Sequence, residues 1–263
     1  MMMDVDLFKK TKRLHFMLYF SNKQPHNLTT TTNMHYFKFY PDADFKVEEV
    51  INFQIFASSL KNLNDSEEGL IGCNDSSLES LSNEIISRNN RRAVSSLVHS
   101  DSNHVITENN CMWETYANNH KGFCVEYNDD ILAGLKPLTA KTPDDQLYNV
   151  YVDVEYGPEL MTIDRTDNLH SMIDSLAHKL NKWEVEQETR LIFRFPPEES
   201  KSCVYKDGQL IGELMPIRAK ERAFCAIYIG KDASMNQLCP IVEFADKYKI
   251  PCYKFGLSMT RIR

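Results

Sequence analysis

The chain has 263 residues, of which 42% are hydrophobic and 25% are charged, so it can bury a substantial core and its composition excludes a disordered chain. Its formal net charge of -7 argues against bulk nucleic-acid binding, because a phosphate backbone attracts a basic surface. The sequence has no run of about 18 apolar residues, and we therefore predict no membrane span.

The seven cysteines are scattered along the chain without a close pair. This pattern is typical of reduced thiols in a cytoplasmic protein rather than of a disulfide framework or a zinc site. The N-terminal stretch ends in a Thr-rich segment that is typical of a linker. We predict that residues 1–33 form an appended arm and that residues 34–263 form a single domain.

The first half of the predicted domain mixes strands and helices that are bounded by turn residues. In chain order we predict a strand at 34–40, a short helical turn, a strand at 54–60, a helix at 77–98, a helix at 108–119 and a strand at 123–127. Ser76 and Glu79 form a capping box at the start of the longer helix. Gly122 releases the chain from the second helix into the strand that follows.

The second half begins with alternating valines. In chain order we predict a strand at 150–154, a helix at about 168–182, a strand at 189–195, a hairpin-like turn around Asp207, a strand at 223–230, a helix capped by Asp232 and a terminal strand at 250–258. Pro240 lies inside the last helix, where it must start a new turn or kink the helix. The irregular mixture predicts an α+β fold, with a mixed, largely antiparallel sheet and flanking helices.

An acidic motif precedes one of these strands. Its members are spaced two residues apart and are Glu184, Glu186, Glu188 and Arg190. If the segment is extended, all four side chains project from one face, and carboxylates grouped in a cleft could stabilise positive charge on a sugar or act as a general base. The alternative is that the preceding helix continues to Glu188 and presents a solvated acidic edge.

Four segments of the chain carry a family resemblance. They are HYFKFY at 35–40, IFASSLKNLNDSEEG at 55–69, MWETYANNHKGFCVEY at 112–127 and KWEVEQETRLIF at 182–193. In this order they resemble the bacterial family called domain of unknown function 2971. The third segment is the most specific, because its Trp, Tyr-Ala, His and Gly have the spacing of the family. Ser66 stands where the family usually has Pro.

A second resemblance concerns the order of the polar residues. A polar residue on the first strand, serines on the second and a Glu-x-Glu before a later strand resemble the three-part active site of ADP-ribosyltransferases. The resemblance implies that NAD is held from the first two strands, by His35 or Lys38 and by Ser58 or Ser59. It also implies that Glu188 grips the ribose while the glycosidic bond breaks, and that Glu186 lies near an acceptor, which the sequence leaves open.

Further candidates for this site are His120, Trp113, Tyr116, Arg190, Asn64 and Asp65. His120 lies at a predicted helix end, where open backbone groups meet ligands, although a His there also satisfies the last carbonyls of the helix. Trp113 and Tyr116 could stack on a ring, but aromatic residues at helical spacing more often belong to the core. Arg190 would offset part of the charge of the carboxylates.

Two other functions are left open by the sequence. Asp153 and Glu155 lie on a predicted strand and could hold magnesium, which makes a metal-dependent nuclease the alternative enzyme. A non-catalytic sensor or interaction protein is the third hypothesis. We favour a cytoplasmic NAD-dependent ADP-ribosyltransferase or NAD glycohydrolase, acting on a small-molecule nucleotide in bacterial defence or toxin biology.

A metal site on a helix was also considered. His170, Asp174 and His178 recur every four residues, so they would share one helical face. Two turns separate the histidines, which is too far for both to reach one ion. We therefore predict a polar helix face there and no metal site.

Overall fold

The computed structural model describes residues 34–65, 67, 69, 71–73, 78–102, 104–138, 149–163, 175–195, 200–255 and 260–262. The predicted arm lies outside these residues, and so do Ser76 of the capping box and residues 168–174 of the predicted helix. The division into arm and domain therefore stays a prediction.

The helices of the described residues are short. The α-helices are α1 (Asp44–Ile51), α2 (Glu79–Asn89), α3 (His104–Glu108), α4 (Asn110–Tyr116) and α5 (Cys239–Tyr248). The 3₁₀ helices span Leu60–Asn62, Asp129–Leu132, Asn181–Glu186 and Lys220–Ala223. None of the helices in this part of the chain is long and apolar enough to span a membrane.

The strands take up more of the chain than the helices do. In chain order they are β1 (His35–Tyr40), β2 (Gln54–Ser59), β3 (Gly72–Cys73), β4 (Arg92–Ser100), β5 (Phe123–Tyr127), β6 (Lys136–Pro137), β7 (Val150–Asp153), β8 (Glu155–Gly157), β9 (Thr162–Ile163), β10 (His178–Leu180), β11 (Glu188–Arg194), β12 (Cys203–Lys206), β13 (Gln209–Pro216), β14 (Phe224–Ile229), β15 (Cys252–Lys254) and β16 (Thr260–Arg261).

Most of these strands join one large sheet. Its order is β12-β13-β2-β4-β1-β5-β14-β15-β16, while β11 pairs with both β4 and β7, and β7 pairs with β6. Within this sheet β14 and β15, and likewise β6 and β7, run parallel, and the other described neighbours run antiparallel. The predicted α+β fold with a largely antiparallel sheet is confirmed.

The sheet forks at β4. β11 occupies one edge of β4 along Arg92–Val98, so β1 and β2 must share the other edge. Phe37 of β1 lies opposite Val98, and Ser58 of β2 lies opposite Val94. Between these two pairings β1 continues beside β5 and β2 continues beside β13. The two strands therefore diverge, and the gap between them is the fork of the sheet.

Apolar side chains pack on both faces of the sheet. The largest cluster joins central strands to α1 and α5, and it includes Val50, Phe123, Val125, Ile227, Ile241 and Phe244. A second cluster, here called the Trp113 cluster, includes Phe37, Phe39, Val98, Met112, Trp113, Cys124 and Tyr228. Trp113 is buried there, and its indole Nε1 donates to the carbonyl oxygen of Ile106 at 2.9 Å. It therefore belongs to the core.

Gly122 is required by close packing. An added Cβ at this position would lie 1.9 Å from the carbonyl oxygen of Tyr40, which is shorter than any contact that a real side chain makes. Its backbone N–H donates to the carbonyl oxygen of Ala117 at 2.9 Å, after the end of α4. The glycine therefore both closes the helix end and lets the start of β5 lie against the end of β1.

The predicted helix over 77–98 is wrong in its second half. α2 ends at Asn89, and β4 begins at Arg92. β4 is covered on both faces, so nearly every residue from Arg92 to Val98 is buried and the alternation that marks a half-exposed strand is missing. An apolar run without alternation fits a helix or a buried strand equally well, and pairing with three neighbours decides for the strand.

The predicted helix over 168–182 is wrong in its last residues. His178–Leu180 forms β10, which pairs in parallel with β8, and the 3₁₀ helix Asn181–Glu186 follows. His178 therefore does not lie on a helical face. His170 and Asp174, its two companions in the spacing, lie outside the described residues.

The last helix starts later than predicted. α5 begins at Cys239 rather than after Asp232, and Pro240 lies in its first turn. Proline is tolerated there because its missing N–H would have had no partner within the helix. Pro240 therefore starts the helix, and this was one of the two possibilities that the sequence left open.

Candidate functional site

A cleft opens at the fork between β1 and β2, with a cavity volume of about 310 Å³. Its polar lining comes from four strands, one α-helix and one 3₁₀ helix, and it includes Lys38, Ser58, Ser96, Tyr116, Glu186 and Glu188. The fork provides this space because β1 and β2 separate, and no other strand of the described residues pairs between them. Side chains that are far apart in the sequence therefore face one cavity.

Five predicted site residues meet in this cleft. They are Lys38, Ser58, Tyr116, Glu186 and Glu188. Asn64 and Asp65, the loop candidates, line it as well. The cleft thus brings together one candidate from the first strand, one from the second strand and both carboxylates of the Glu-x-Glu.

Glu188 is held by three donors. Its Oε1 accepts hydrogen bonds from the Ser96 hydroxyl and from Nε of Arg190, the latter at 2.8 Å, and its Oε2 accepts from Nζ of Lys179 at 3.1 Å. Arg190 can reach Glu188 because residues two apart on a strand project from the same face. Its Nη1 also donates to the carbonyl oxygen of Leu176 at 2.8 Å, which fixes the guanidinium.

The ion pairs decide the charge of Glu188. Burial by itself would raise the pKa of this carboxyl group, but Arg190 and Lys179 outweigh burial and hold the pKa at about 2. Glu188 is therefore ionised at neutral pH, even though its side chain is buried.

Glu186 ends the 3₁₀ helix Asn181–Glu186 and is tied to Glu188 through a shared cation. Its Oε2 accepts from Nζ of Lys179 at 2.6 Å, and its Oε1 accepts from the hydroxyl of Tyr116. Burial and the nearby Glu186 raise the pKa of Tyr116, so this hydroxyl remains a donor. Lys179 thus bridges two carboxylates.

Both sequence interpretations of the acidic motif are wrong in part. Glu184 is exposed in a 3₁₀ helix, so the four side chains do not project from one face of a strand. Glu186 and Glu188 are buried and paired, so they do not form a solvated acidic edge. Gln187 has a left-handed conformation, with φ of 38°, and this turn separates the helix from β11. The change of direction places the two carboxylates around Lys179.

Lys38 lies in the fork itself. On this edge of β4 the described strands offer Ser95–Leu97 no register partner, and Nζ of Lys38 donates to the Ser95 hydroxyl at 2.9 Å and to the Ser96 carbonyl at 3.2 Å. The amine therefore takes the place of a missing strand donor. Burial, with a smaller contribution from Lys46, lowers the pKa of Lys38 to about 8.

Comparison with known proteins bears on part of this site. Residues 112–191 match the family model described as "Protein of unknown function (DUF2971)". The chain resembles this family. No curated protein and no solved structure matches the chain. The predicted resemblance is confirmed over the third segment and most of the fourth, whereas the first two segments precede the match. The matched residues supply Tyr116, Glu186 and Glu188 to the cleft, whereas Lys38 and Ser58 precede the match.

Apart from Trp113, which belongs to the core, four predicted site residues are not among the described residues that line the cleft. Arg190 donates a hydrogen bond to Glu188 and is not itself part of the described lining. Ser59 lies opposite Ala93, and its hydroxyl accepts from the Asn62 amide at 2.6 Å. His35 contacts Glu126, with Nδ1 of the ring 2.5 Å from Oε1 of the carboxylate. Of the two alternative pairs, Lys38 and Ser58 line the cleft, whereas His35 and Ser59 are not among the described residues of its lining.

His120 is the fourth of these residues and belongs to the Trp113 cluster. Its ring stacks on Trp113, with the ring centroids 5.4 Å apart, and its Nε2 lies 2.7 Å from Oδ1 of Asn110. Burial, followed by the nearby Lys231, lowers the pKa of His120. The ring packs on Trp113 and its Nε2 contacts the Asn110 side chain, so among the described residues the His120 side chain does not satisfy the last carbonyls of the helix, and the alternative interpretation of His120 is not borne out.

Two important residues were missed by sequence reasoning. Ser96 was assigned to a helix, although the polar pair Ser95-Ser96 within an apolar run could have indicated two faces of a strand. Lys179 fell within the helix predicted at about 168–182, and no local pattern relates it to Glu186 or Glu188. Only the reversal of the chain between β10 and β11 brings its amine to them.

Proposed function

We propose that the chain cleaves the N-glycosidic bond of NAD in this cleft, as a cytoplasmic ADP-ribosyltransferase-like enzyme or NAD glycohydrolase. The observation that supports this proposal is the meeting of Lys38, Ser58 and Glu188, from three separate strands, around one cavity. These are residues for which the order of motifs implied the three roles of such a site.

Glu188 supplies the charge for bond cleavage. Its carboxylate stays ionised without solvent, because Arg190 and Lys179 stabilise it, and it is oriented by the same donors before any ligand arrives. Preorganised negative charge stabilises the positive charge that develops on a ribose as the bond to nicotinamide breaks. Glu188 also offers Oε2 to a ribose hydroxyl, beside Lys179.

Two lysines in the lining of the cleft suit phosphate. Lys38 and Lys46 both line the cleft, and they are close enough for each charge to affect the other. Glu49 pairs with Lys46 at 2.7 Å and offsets one of the two charges. A diphosphate would neutralise the remaining positive charge and would accept hydrogen bonds from both amines.

The size of the cavity sets how much of NAD it can hold. Sites for small molecules usually have volumes of about 300–1,000 Å³, and the cleft lies at the lower limit. It is therefore large enough for the reacting nicotinamide riboside portion, with the rest of the dinucleotide outside. Phe37, Phe39 and Phe56 provide apolar surface for a ring.

The test is incubation of the protein with NAD without added metal, with nicotinamide release and titration calorimetry as readouts. Glu188→Gln should lower turnover by about 10²-fold or more, since it removes charge that acts on the transition state. Glu184→Gln is the matched control, because this carboxylate is exposed on the same segment.

A second variant distinguishes a loss of NAD binding from a loss of stability. Glu188→Gln leaves Lys179 and Arg190 without this buried partner and therefore also lowers stability. Ser58→Ala changes another strand and touches no ion pair in the cleft, so it should weaken NAD binding in a protein that melts like the wild type. If the folded wild type neither releases nicotinamide nor binds NAD, the proposal is rejected in favour of a non-catalytic partner.

The nuclease alternative rests on carboxylates outside the lining described for the cleft. The side chain of Asp153 is largely exposed, and it accepts a hydrogen bond from the Thr189 hydroxyl at 2.6 Å. A nuclease would need magnesium and would lose activity on Asp153→Asn, whereas this variant should leave nicotinamide release unchanged. The same preparation therefore separates the two enzymatic functions.

A further inference from the structure

Three potential metal ligands meet on the central strands β1, β5 and β14. They are His35, Glu126 and Cys225, and one ligand atom from each lies within 4.8 Å of the other two. The three residues are not among the described residues that line the cleft. Because they come from three separate strands, no spacing in the sequence could have indicated this group.

A β-bulge explains how Cys225 reaches the group. Along β14, Phe224 lies opposite Tyr127 and Ala226 lies opposite Glu126, so Cys225 is an extra residue between two consecutive pairings. A bulge of this kind redirects a side chain and is often found beside functional sites. The bulge accounts for the nearness of the Cys225 thiol to the carboxylate of Glu126.

The contacts of the group suit a cation. Nδ1 of His35 lies 2.5 Å from Oε1 of Glu126, but the contact lacks hydrogen-bond geometry, and this buried nitrogen has no hydrogen-bond partner among the described residues. Oε2 of Glu126 accepts from the hydroxyl of Tyr228 at 2.6 Å. Such a second contact orients a carboxylate in many metal sites.

The local charge is also favourable. Glu126 and Asp129 both lie close enough to the Cys225 thiol for their charges to act on it. Two carboxylates near a thiol create a negative potential, which disfavours a thiolate on its own but attracts a divalent cation. The ion would in turn stabilise the thiolate.

We propose that His35, Glu126 and Cys225 bind a divalent metal ion, with Zn²⁺ as the ion that best suits one nitrogen, one oxygen and one sulfur ligand. Three protein ligands leave a fourth position for water or another ligand. Ligand atoms of a tetrahedral zinc site lie about 3.5 Å apart, so Nδ1 of His35 and Oε1 of Glu126, which are 2.5 Å apart without the ion, must separate by about 1 Å to bind it.

Binding of the metal ion releases one proton. The S–H bond of Cys225 breaks, a bond from sulfur to the metal forms, and the proton passes to solvent. The thiolate and the carboxylate of Glu126 together neutralise the two charges of the ion. Cys225 is only partly buried, so solvent and metal can reach it.

The experiment is a titration of the metal-free full chain with Co²⁺, followed by competition with Zn²⁺. We expect a thiolate-to-cobalt charge-transfer band that Zn²⁺ removes, together with a higher melting temperature in Zn²⁺. Cys225→Ser should abolish the band and weaken zinc affinity by about 10-fold or more. Cys111→Ser is the control, since this thiol is exposed and should leave both readouts unchanged.

Two results would overturn the proposal. One is a folded wild-type protein that shows neither the band nor a shift in melting temperature. The other is a band that persists in Cys225→Ser, since another thiol would then be the ligand. Glu126→Gln gives a further check, because it removes the ligand charge while conserving shape and should also weaken affinity. None of these readouts involves NAD, so they are independent of the proposed glycosidic activity.

Discussion

Lys38 and Glu188 are both buried ionisable groups in one cleft, but burial affects their charges differently. Glu188 has Arg190 and Lys179 as partners, and these cations keep its pKa at about 2. Lys38 donates to a hydroxyl and a carbonyl, which carry no charge, so burial dominates and its pKa falls to about 8. The nature of the partner, rather than the depth of burial, decides which group stays fully charged.

The shift at Lys38 makes stability depend on pH. The unfolded chain has the ordinary lysine pKa of 10.5, so between the folded and unfolded values the unfolded state binds more protons and stability rises with pH. From about pH 8 to about pH 10 this group should add about 2 kcal/mol to the free energy of unfolding. Lys38→Met removes the titrating amine, so the free energy of unfolding of this variant should not show this rise with pH.

Urea unfolding at the two pH values measures the effect. As the pH rises from about 8 to about 10, the free energy of unfolding of the wild type should increase by about 2 kcal/mol relative to that of Lys38→Met. Lys247→Met, at an exposed position of α5, should keep a constant difference from the wild type. An equally constant difference for Lys38→Met would show that the amine is not buried in the fork.

At the scale of elements, α4 and β5 form one unit around Trp113. Phe39 packs edge-on against Trp113, with the ring centroids 5.2 Å apart, and His120 stacks on the indole. Gly122 then lets β5 approach β1. The most specific segment of the family resemblance thus encodes a packed corner beside the cleft, with Tyr116 as its contribution to the polar lining.

Trp113→Ala tests this corner. Trp113 is 1% exposed, so the substitution leaves a large cavity and should lower the free energy of unfolding by about 3–5 kcal/mol. Phe45→Ala serves as the control, because Phe45 is 64% exposed and its loss should change stability by less than about 0.5 kcal/mol. Thermal and urea unfolding of both variants give the comparison. An unchanged melting temperature for Trp113→Ala would contradict the packing described here.

For the molecule as a whole, residues from position 34 onward form the sheet, the clusters on both its faces and the cleft. We therefore predict that a chain lacking residues 1–33 folds cooperatively. Far-UV circular dichroism during heating should show a single transition, close to that of the full chain. Aggregation, or a broad transition without a plateau, would show that the apolar stretch Leu14–Phe20 is needed for the core.

Elements that have strong local signals could be predicted from the sequence. β1, β2, β5 and β14 were predicted almost to the residue, because turn residues bound them and their aromatic and β-branched residues favour strands. The bounds of these strands depend on neighbours within a few positions, and a linear pattern records them. The sequence also put forward the Glu-x-Glu, Lys38, Ser58 and Tyr116, and these residues line the cleft.

Tertiary structure decided what depends on distant partners. Whether 92–100 is a helix or a strand was settled by its pairing with β1, β2 and β11, because burial on both faces had removed the alternation. The fork of the sheet explains why Lys38 lines the cleft and His35 is not among the described residues of its lining. The bridge from Lys179 to two carboxylates and the meeting of His35, Glu126 and Cys225 follow from strand register, which local propensity does not set.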